Sequence, residues 1–121
     1  MRIVRAAKDP IDIPQENRGG NCFVVALHEF MKSPRDSKLV HGVVVGQGAI
    51  DGIEYTHAWV ERGDEVIDRT MPSEYQHMEK FVYYAIGQVF NEIKYDASEV
   101  SAMLEKYGTY GPWDSRFDNY Y

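Results

Sequence analysis

The chain has 121 residues, which fits one domain, because domains commonly contain about 100–150 residues. Hydrophobic residues make up 44% and charged residues 26%, a composition that can build a core and excludes a disordered linker. Thirteen lysines and arginines stand against nineteen aspartates and glutamates, and the net charge of −6 repels phosphate backbones. We therefore predict a single domain over residues 1–121 whose main partner is not nucleic acid.

A single cysteine, Cys22, excludes an internal disulfide, which favours a reducing compartment. The N-terminus does not resemble a signal peptide, and no apolar run approaches the roughly 18 residues of a membrane span. The composition therefore predicts a cytoplasmic protein that does not bind membranes, and it suits a bacterial or phage protein. No pattern indicates a particular oligomeric state.

The first third of the chain predicts an extended lead and then a helix. Residues 1–6 fit a short edge strand, and the prolines and glycines between residues 9 and 20 predict a loop. From Asn21, a good N-cap, apolar residues recur at the i, i+3, i+4 spacing of a helix, which Pro34 would end. Cys22 is therefore expected in the first turn of an apolar helix.

The middle of the chain alternates apolar runs with turn residues, as antiparallel sheets do. Residues 39–45 predict a buried strand, and residues 54–61 and 65–69 predict two more strands joined by a tight turn. Residues 81–86 fit a fourth strand. An antiparallel meander is the expected centre of the fold.

A helix and an aromatic tail are predicted for the C-terminal part. Asp96 and Glu99 form a capping-box pattern ahead of a helix over residues 97–107, and Gly108 fits its C-terminal stop. The aromatic residues after Gly108, Trp113 among them, predict that the tail packs back onto the sheet or onto the Cys22 helix. The expected fold class is α+β.

Three residues carry the chemistry of a nucleophile, a base and a group that orients the base. The N-terminus of a helix favours a thiolate, and the backbone N–H of Cys22 would point toward a developing oxyanion. A two-residue turn between the two strands would place His57 and Asp68 as diagonal neighbours on one face. The Asp68 carboxylate could then fix the imidazole tautomer and stabilise its charged form, while the other nitrogen faces the cysteine. A buried structural cysteine is the alternative.

Three segments resemble the transglutaminase-like branch of the papain-like cysteine enzymes: Gly20-Asn21-Cys22, His57-Ala58-Trp59-Val60-Glu61 and Val66-Ile67-Asp68-Arg69-Thr70. Cysteine and histidine are 35 residues apart, histidine and aspartate 11, as in compact bacterial members. The resemblance covers residues 13–70 and implies a papain-like core in which the Cys-bearing helix packs on an antiparallel sheet. It also implies that Cys22 is the nucleophile, His57 the general base and acid, and Asp68 the orienting residue. Arg69 departs from the family, which often has proline there.

Papain-like enzymes often use a glutamine a few residues before the cysteine to bind the oxyanion, which makes Gln15 the preferred candidate by resemblance. Asn21 is a second candidate, although its position is also explained by helix capping. Trp59 could line the acyl site, or it could belong to the core, as a strand tryptophan on a covered face usually does.

These residues predict a thiol enzyme without a cofactor: a cysteine peptidase, an amidase or a transglutaminase-like acyltransferase. It would act on an amide, isopeptide or ester bond of a protein, peptide or small amide substrate, through an acyl-thioester at Cys22. One alternative is a catalytically silent binding or inhibitor module on the same fold. Another is a zinc-binding domain that uses Cys22, His57 and Asp68 with His41 or His77, although these residues lack the short paired spacing of zinc ligands.

Overall fold

The computed structural model describes residues 21–121, so the predicted edge strand and loop before them lie outside the described residues. Within that range the chain forms three α-helices and one five-stranded antiparallel sheet with strand order β4-β3-β2-β1-β5, which confirms the α+β class. The elements in chain order are α1 (Cys22–Met31), β1 (Ser37–Val45), β2 (Glu54–Arg62), β3 (Glu65–Ile67), β4 (His77–Glu79), α2 (Lys80–Gly87), β5 (Phe90–Tyr95) and α3 (Ala97–Tyr107).

The first helix begins at Cys22, as predicted, and its apolar face packs onto the sheet. Asn21 occupies the N-cap position, but its side chain makes no capping hydrogen bond. Leu27 and Phe30 on this helix are almost completely buried against β1 and β2. The helix ends at Met31, before the predicted stop at Pro34.

The hairpin of β2 and β3 has the predicted register. Arg62 pairs with Glu65 across a two-residue turn, and Val60 pairs with Ile67. The next pair in this register would be Trp59 with Asp68, but β3 ends at Ile67, two residues earlier than predicted. Asp68 therefore stands just beyond the end of the strand and directly beside β2.

The prediction of a strand over residues 81–86 is wrong, because this segment lies within α2. A short apolar run that contains aromatic and branched residues has no periodicity to separate strand from helix. Here α2 places Tyr83 against the sheet and leaves Phe81 78% exposed, a two-sided arrangement that a helix provides. The fourth and fifth strands, β4 and β5, were not predicted; their side chains are exposed or half-buried, except for the buried Tyr95.

The sheet separates two apolar layers. One face packs against α1, α3 and the C-terminal tail, and it includes Leu39, Ala58 and Val60. The other face packs against α2 and includes Val40 and Trp59. A side chain at Gly42 would bring its Cβ to 2.8 Å from the Trp59 ring, so the glycine leaves the space that the indole occupies.

The C-terminal predictions are confirmed. Asp96 and Glu99 form the capping box of α3, and Gly108 ends the helix in the left-handed conformation. The tail packs back onto the sheet, with Trp113 and Phe117 buried and the Trp113 Nε1–H donating to the Thr109 carbonyl at 2.9 Å. None of the described helices is long and apolar enough to cross a bilayer.

Candidate active site

His57 and Asp68 form a buried pair where β3 ends. The His57 Nε2–H donates to Asp68 Oδ2 at 2.9 Å, and both side chains are nearly inaccessible to solvent. Strand alternation places His57 on the same face as its neighbours Tyr55 and Trp59, whose rings contact it. The diagonal arrangement predicted from the hairpin register is therefore present.

Asp68 accepts four hydrogen bonds. Its Oδ1 accepts from the backbone N–H of Thr70 at 3.0 Å and from the Thr70 hydroxyl, and its Oδ2 accepts from His57 and from the Tyr83 hydroxyl at 2.7 Å. Burial alone would raise the pKa of Asp68, but the charge of His57 and these hydrogen bonds lower it to about 2. Asp68 is therefore a carboxylate at neutral pH, fixed in one orientation.

Tyr83 is the residue of this site that sequence reasoning missed. It lies on α2, in the segment predicted as a strand, and no motif connects it with Asp68. Burial and the negative charge of Asp68 raise the pKa of Tyr83 well above its ordinary value, so its hydroxyl remains a donor. Thr70 could have been found, because hairpin alternation places it on the same face as Asp68.

Cys22 lies close to His57. Burial lowers the pKa of His57, but the charge and hydrogen bond of Asp68 outweigh it, and the Cys22 sulfur adds a smaller upward contribution, so the pKa is raised well above 6.5. The Nδ1 atom of His57 makes no hydrogen bond of standard geometry within residues 21–121. It is thus available to the sulfur, and the predicted cysteine, histidine and aspartate are brought together around one imidazole.

The Cys22 side chain itself is mostly covered. It is 6% exposed and belongs to the apolar layer between α1 and the sheet, where Ala26 and Ala58 are members of the same cluster. The sulfur therefore lies in an apolar environment at the start of a helix, next to an imidazole held by a carboxylate.

A partly buried ion-pair cluster around Glu29 connects the helix that carries Cys22 with the segment that carries Asp68. Glu29 on α1 accepts from the guanidinium groups of Arg62 at 3.0 Å and Arg69 at 3.1 Å. Burial would raise the pKa of Glu29, but Lys32 and the two arginines lower it. Arg69 thus has a structural role: it ties the segment that follows Asp68 to the Cys22 helix.

The three additional candidates have different positions. Gln15 lies outside the described residues, and Asn21 is exposed at the start of α1. Trp59 is completely buried in the α2 layer, where its Nε1–H donates to Glu61 at 3.1 Å. Glu61 is also buried and holds the Lys94 ammonium at 2.9 Å, so Trp59 is placed by a core network.

His41 and His77, the other two histidines of the zinc alternative, do not group with Cys22, His57 and Asp68 as metal ligands in the described residues. His41 is fully buried, and neither ring nitrogen has a hydrogen-bond partner in the described part of the chain. His77 is exposed and pairs with Glu65 at 3.2 Å. Among residues 21–121, no three histidine, cysteine, aspartate or glutamate side chains are grouped as ligands for a metal ion.

Comparison with known proteins adds no relative: no family model, curated protein sequence or solved structure matches the chain.

Proposed function

We propose that the chain is a thiol enzyme that cleaves or transfers the acyl group of an amide, isopeptide or ester through an acyl-thioester at Cys22. The observation that supports this most is the imidazole of His57, which Asp68 holds at Nε2 while Nδ1 remains for the Cys22 sulfur. A base oriented by a third group and placed at a thiol is the arrangement that activates a cysteine nucleophile. The resemblance to transglutaminase-like enzymes supports the same assignment and a papain-like core.

In this mechanism the Cys22 thiol has given its proton to His57, whose charged form the Asp68 carboxylate stabilises, and the thiolate of Cys22 attacks the carbonyl carbon of the substrate. The imidazolium, stabilised by the Asp68 carboxylate, then protonates the leaving amine or alcohol as its bond to the carbonyl carbon breaks. Water or a second amine gives a proton to His57 and attacks the thioester, which releases the acyl product and restores the thiol.

The test is acylation of Cys22 by p-nitrophenyl acetate, followed by release of nitrophenol and by the intact mass of the protein. We expect a thioester at Cys22 that forms at least 100-fold more slowly in the His57→Gln variant, because general-base catalysis contributes about 10²–10⁴-fold. His77→Gln is the matched control, since His77 is an exposed histidine outside the site. Equal rates in His57→Gln and His77→Gln would exclude this function.

The burial of Cys22 favours a second candidate, a non-catalytic binding module on the same fold. A cysteine residue that is only 6% exposed has to become more accessible before its sulfur can react with a carbonyl carbon. The acylation experiment separates the two functions, because a silent module would leave Cys22 unmodified in the folded protein and react only when unfolded.

A further inference from the structure

A pocket of about 270 Å³ opens against His57 and Asp68 on the α2 side of the sheet. Cys22 does not line it. The rest of its wall is largely apolar and comes from β1, β2, β4, α2 and the loops that follow β1 and β3. The side chains that form this wall include Val44, Ile50, Tyr55, Met71, Met78 and Ile86.

The pocket is large enough for a hydrocarbon group. An apolar cavity of about 150 Å³ holds a benzene molecule, so a ring or a six-carbon chain fits into this larger space. At the mouth, Ile50 and Ile86 are 45% and 47% exposed, which extends the apolar surface outward. The Gln47 side-chain amide donates to the Ile86 carbonyl at 2.6 Å and joins the loop after β1 to the end of α2.

The position of the pocket relative to the site indicates which part of a substrate it would hold. When the thioester forms, the acyl carbon is bonded to Cys22, whereas the leaving nitrogen takes its proton from the imidazolium of His57. The leaving group therefore departs beside His57. A pocket that contacts His57 and does not contact Cys22 lies on the leaving-group side of the bond.

Resting on the proposed function, we propose that this pocket binds the leaving-group side of the substrate and that this side carries an apolar aliphatic or aromatic group. During acylation the bond from the Cys22 sulfur to the carbonyl carbon forms, the carbon–nitrogen bond breaks, and the proton moves from His57 to the nitrogen. In the reverse direction an apolar amine enters the pocket, transfers a proton to His57 and attacks the thioester, which forms a new amide and frees the thiol.

The experiment measures capture of the acetyl group from the Cys22 thioester formed with p-nitrophenyl acetate. Hexylamine and 6-amino-1-hexanol are a matched pair, since they differ only in a terminal hydroxyl that the apolar wall would have to desolvate. We expect hexylamine to form its acetamide at least tenfold faster at equal concentration, because burial of an unpaired hydroxyl is unfavourable. Ile86→Asp should bring this ratio close to one, whereas Ile53→Ser, an exposed isoleucine outside the pocket, should keep it.

Equal capture of the two amines by the wild-type thioester would overturn the inference and leave the proposed function standing. Failure of Cys22 to accept the acetyl group would overturn the proposed function, and the leaving-group role with it.

A second readout does not depend on turnover. In protein labelled with ¹³C at the methionine methyl groups, 1-hexanol should shift the signals of Met71 and Met78, which line the pocket, and not that of Met103 on α3. Unchanged Met71 and Met78 signals, or an equal shift of Met103, would overturn the assignment of the pocket as the apolar binding site.

Discussion

His41 and His57 lie on neighbouring strands, β1 and β2, yet their imidazoles point to opposite faces of the sheet. His57 is held by Asp68 and its pKa is raised well above 6.5, burial being outweighed by the carboxylate. His41 packs against three aromatic rings, and burial lowers its pKa to about 3. Similar burial thus produces opposite charge states, because a buried imidazole is charged only where a carboxylate compensates for the lost water.

The residues around His41 pack closely against its imidazole ring. The rings of Phe23, Tyr95 and Trp113 lie 4.9, 5.3 and 5.0 Å from its ring, measured between centroids. Gly111 passes so near that a Cβ there would lie 2.6 Å from the imidazole, and its φ of 118° also requires glycine. One buried histidine therefore packs the tail onto the sheet, and the other is part of the candidate site.

The largest expected effect comes from removing the charge that distinguishes His57. Asp68→Asn should lower the rate of Cys22 acylation by about 10³–10⁴-fold, because an amide no longer stabilises the imidazolium and can hold the wrong tautomer. Circular dichroism should show an unchanged fold, and Asp36→Asn, an exposed aspartate, serves as control. Full activity of Asp68→Asn would mean that another group orients His57.

The next effect concerns the aromatic cover of His41. Trp113→Ala should lower the free energy of unfolding by about 3–5 kcal/mol, because it removes a buried indole and uncovers the imidazole of His41. Tyr121→Ala is the control, since Tyr121 is 91% exposed. Truncation after Gly108 should destabilise at least as much in urea unfolding. Unchanged stability of both variants would show that the tail does not cover the core.

The pH dependence of stability should separate the two histidines. Unfolded His41 takes up a proton near pH 6.5 but folded His41 only near pH 3, so the unfolded state binds more protons between these values. The free energy of unfolding should therefore fall by about 2 kcal/mol from pH 6.5 to pH 5. The raised pKa of His57 affects stability at higher pH. The stabilisation that His57 contributes is complete below pH 6.5 and is lost as the pH rises through the pKa of the folded state.

Urea unfolding of His41→Phe at pH 6.5 and pH 5 checks this assignment. The variant should lose the acid-side slope, because it has no imidazole to protonate, whereas His77→Gln should keep it. The prediction fails if His41→Phe and the wild type show the same slope.

The smallest effect is expected at Tyr83, which supplies one of the four hydrogen bonds to Asp68. Tyr83→Phe should reduce the acylation rate about three- to tenfold and stability by about 1 kcal/mol, the net contribution of one buried hydrogen bond. Tyr84→Phe, which alters the neighbouring network around Glu61, should leave the acylation rate unchanged. A rate loss of equal size in both variants would argue against a positioning role for Tyr83.

Sequence reasoning succeeded where the signal was local and failed where tertiary packing decided. The Asp96 capping box and Gly108 set the two ends of α3, and the short turn of the hairpin set the register that joins His57 to Asp68. The conformation of α2 depends on which side chains face the sheet, so Tyr83 could not be assigned from its apolar run. The role of Glu29 was hidden for the same reason, because its arginine partners are 33 and 40 residues away.

The hairpin that contains His57 and Asp68 also bears on the order in which the candidate site assembles. These two residues are 11 positions apart, and a two-residue turn joins their strands, whereas Cys22 is 35 positions from His57. Closing the longer loop costs about 1 kcal/mol more in chain entropy. His57 and Asp68 are thus a local unit that the hairpin can form early, and Cys22 joins it only when α1 docks. Disruption of the ion pairs around Glu29 should then slow the docking of α1, which carries Cys22, and leave formation of the hairpin unaffected.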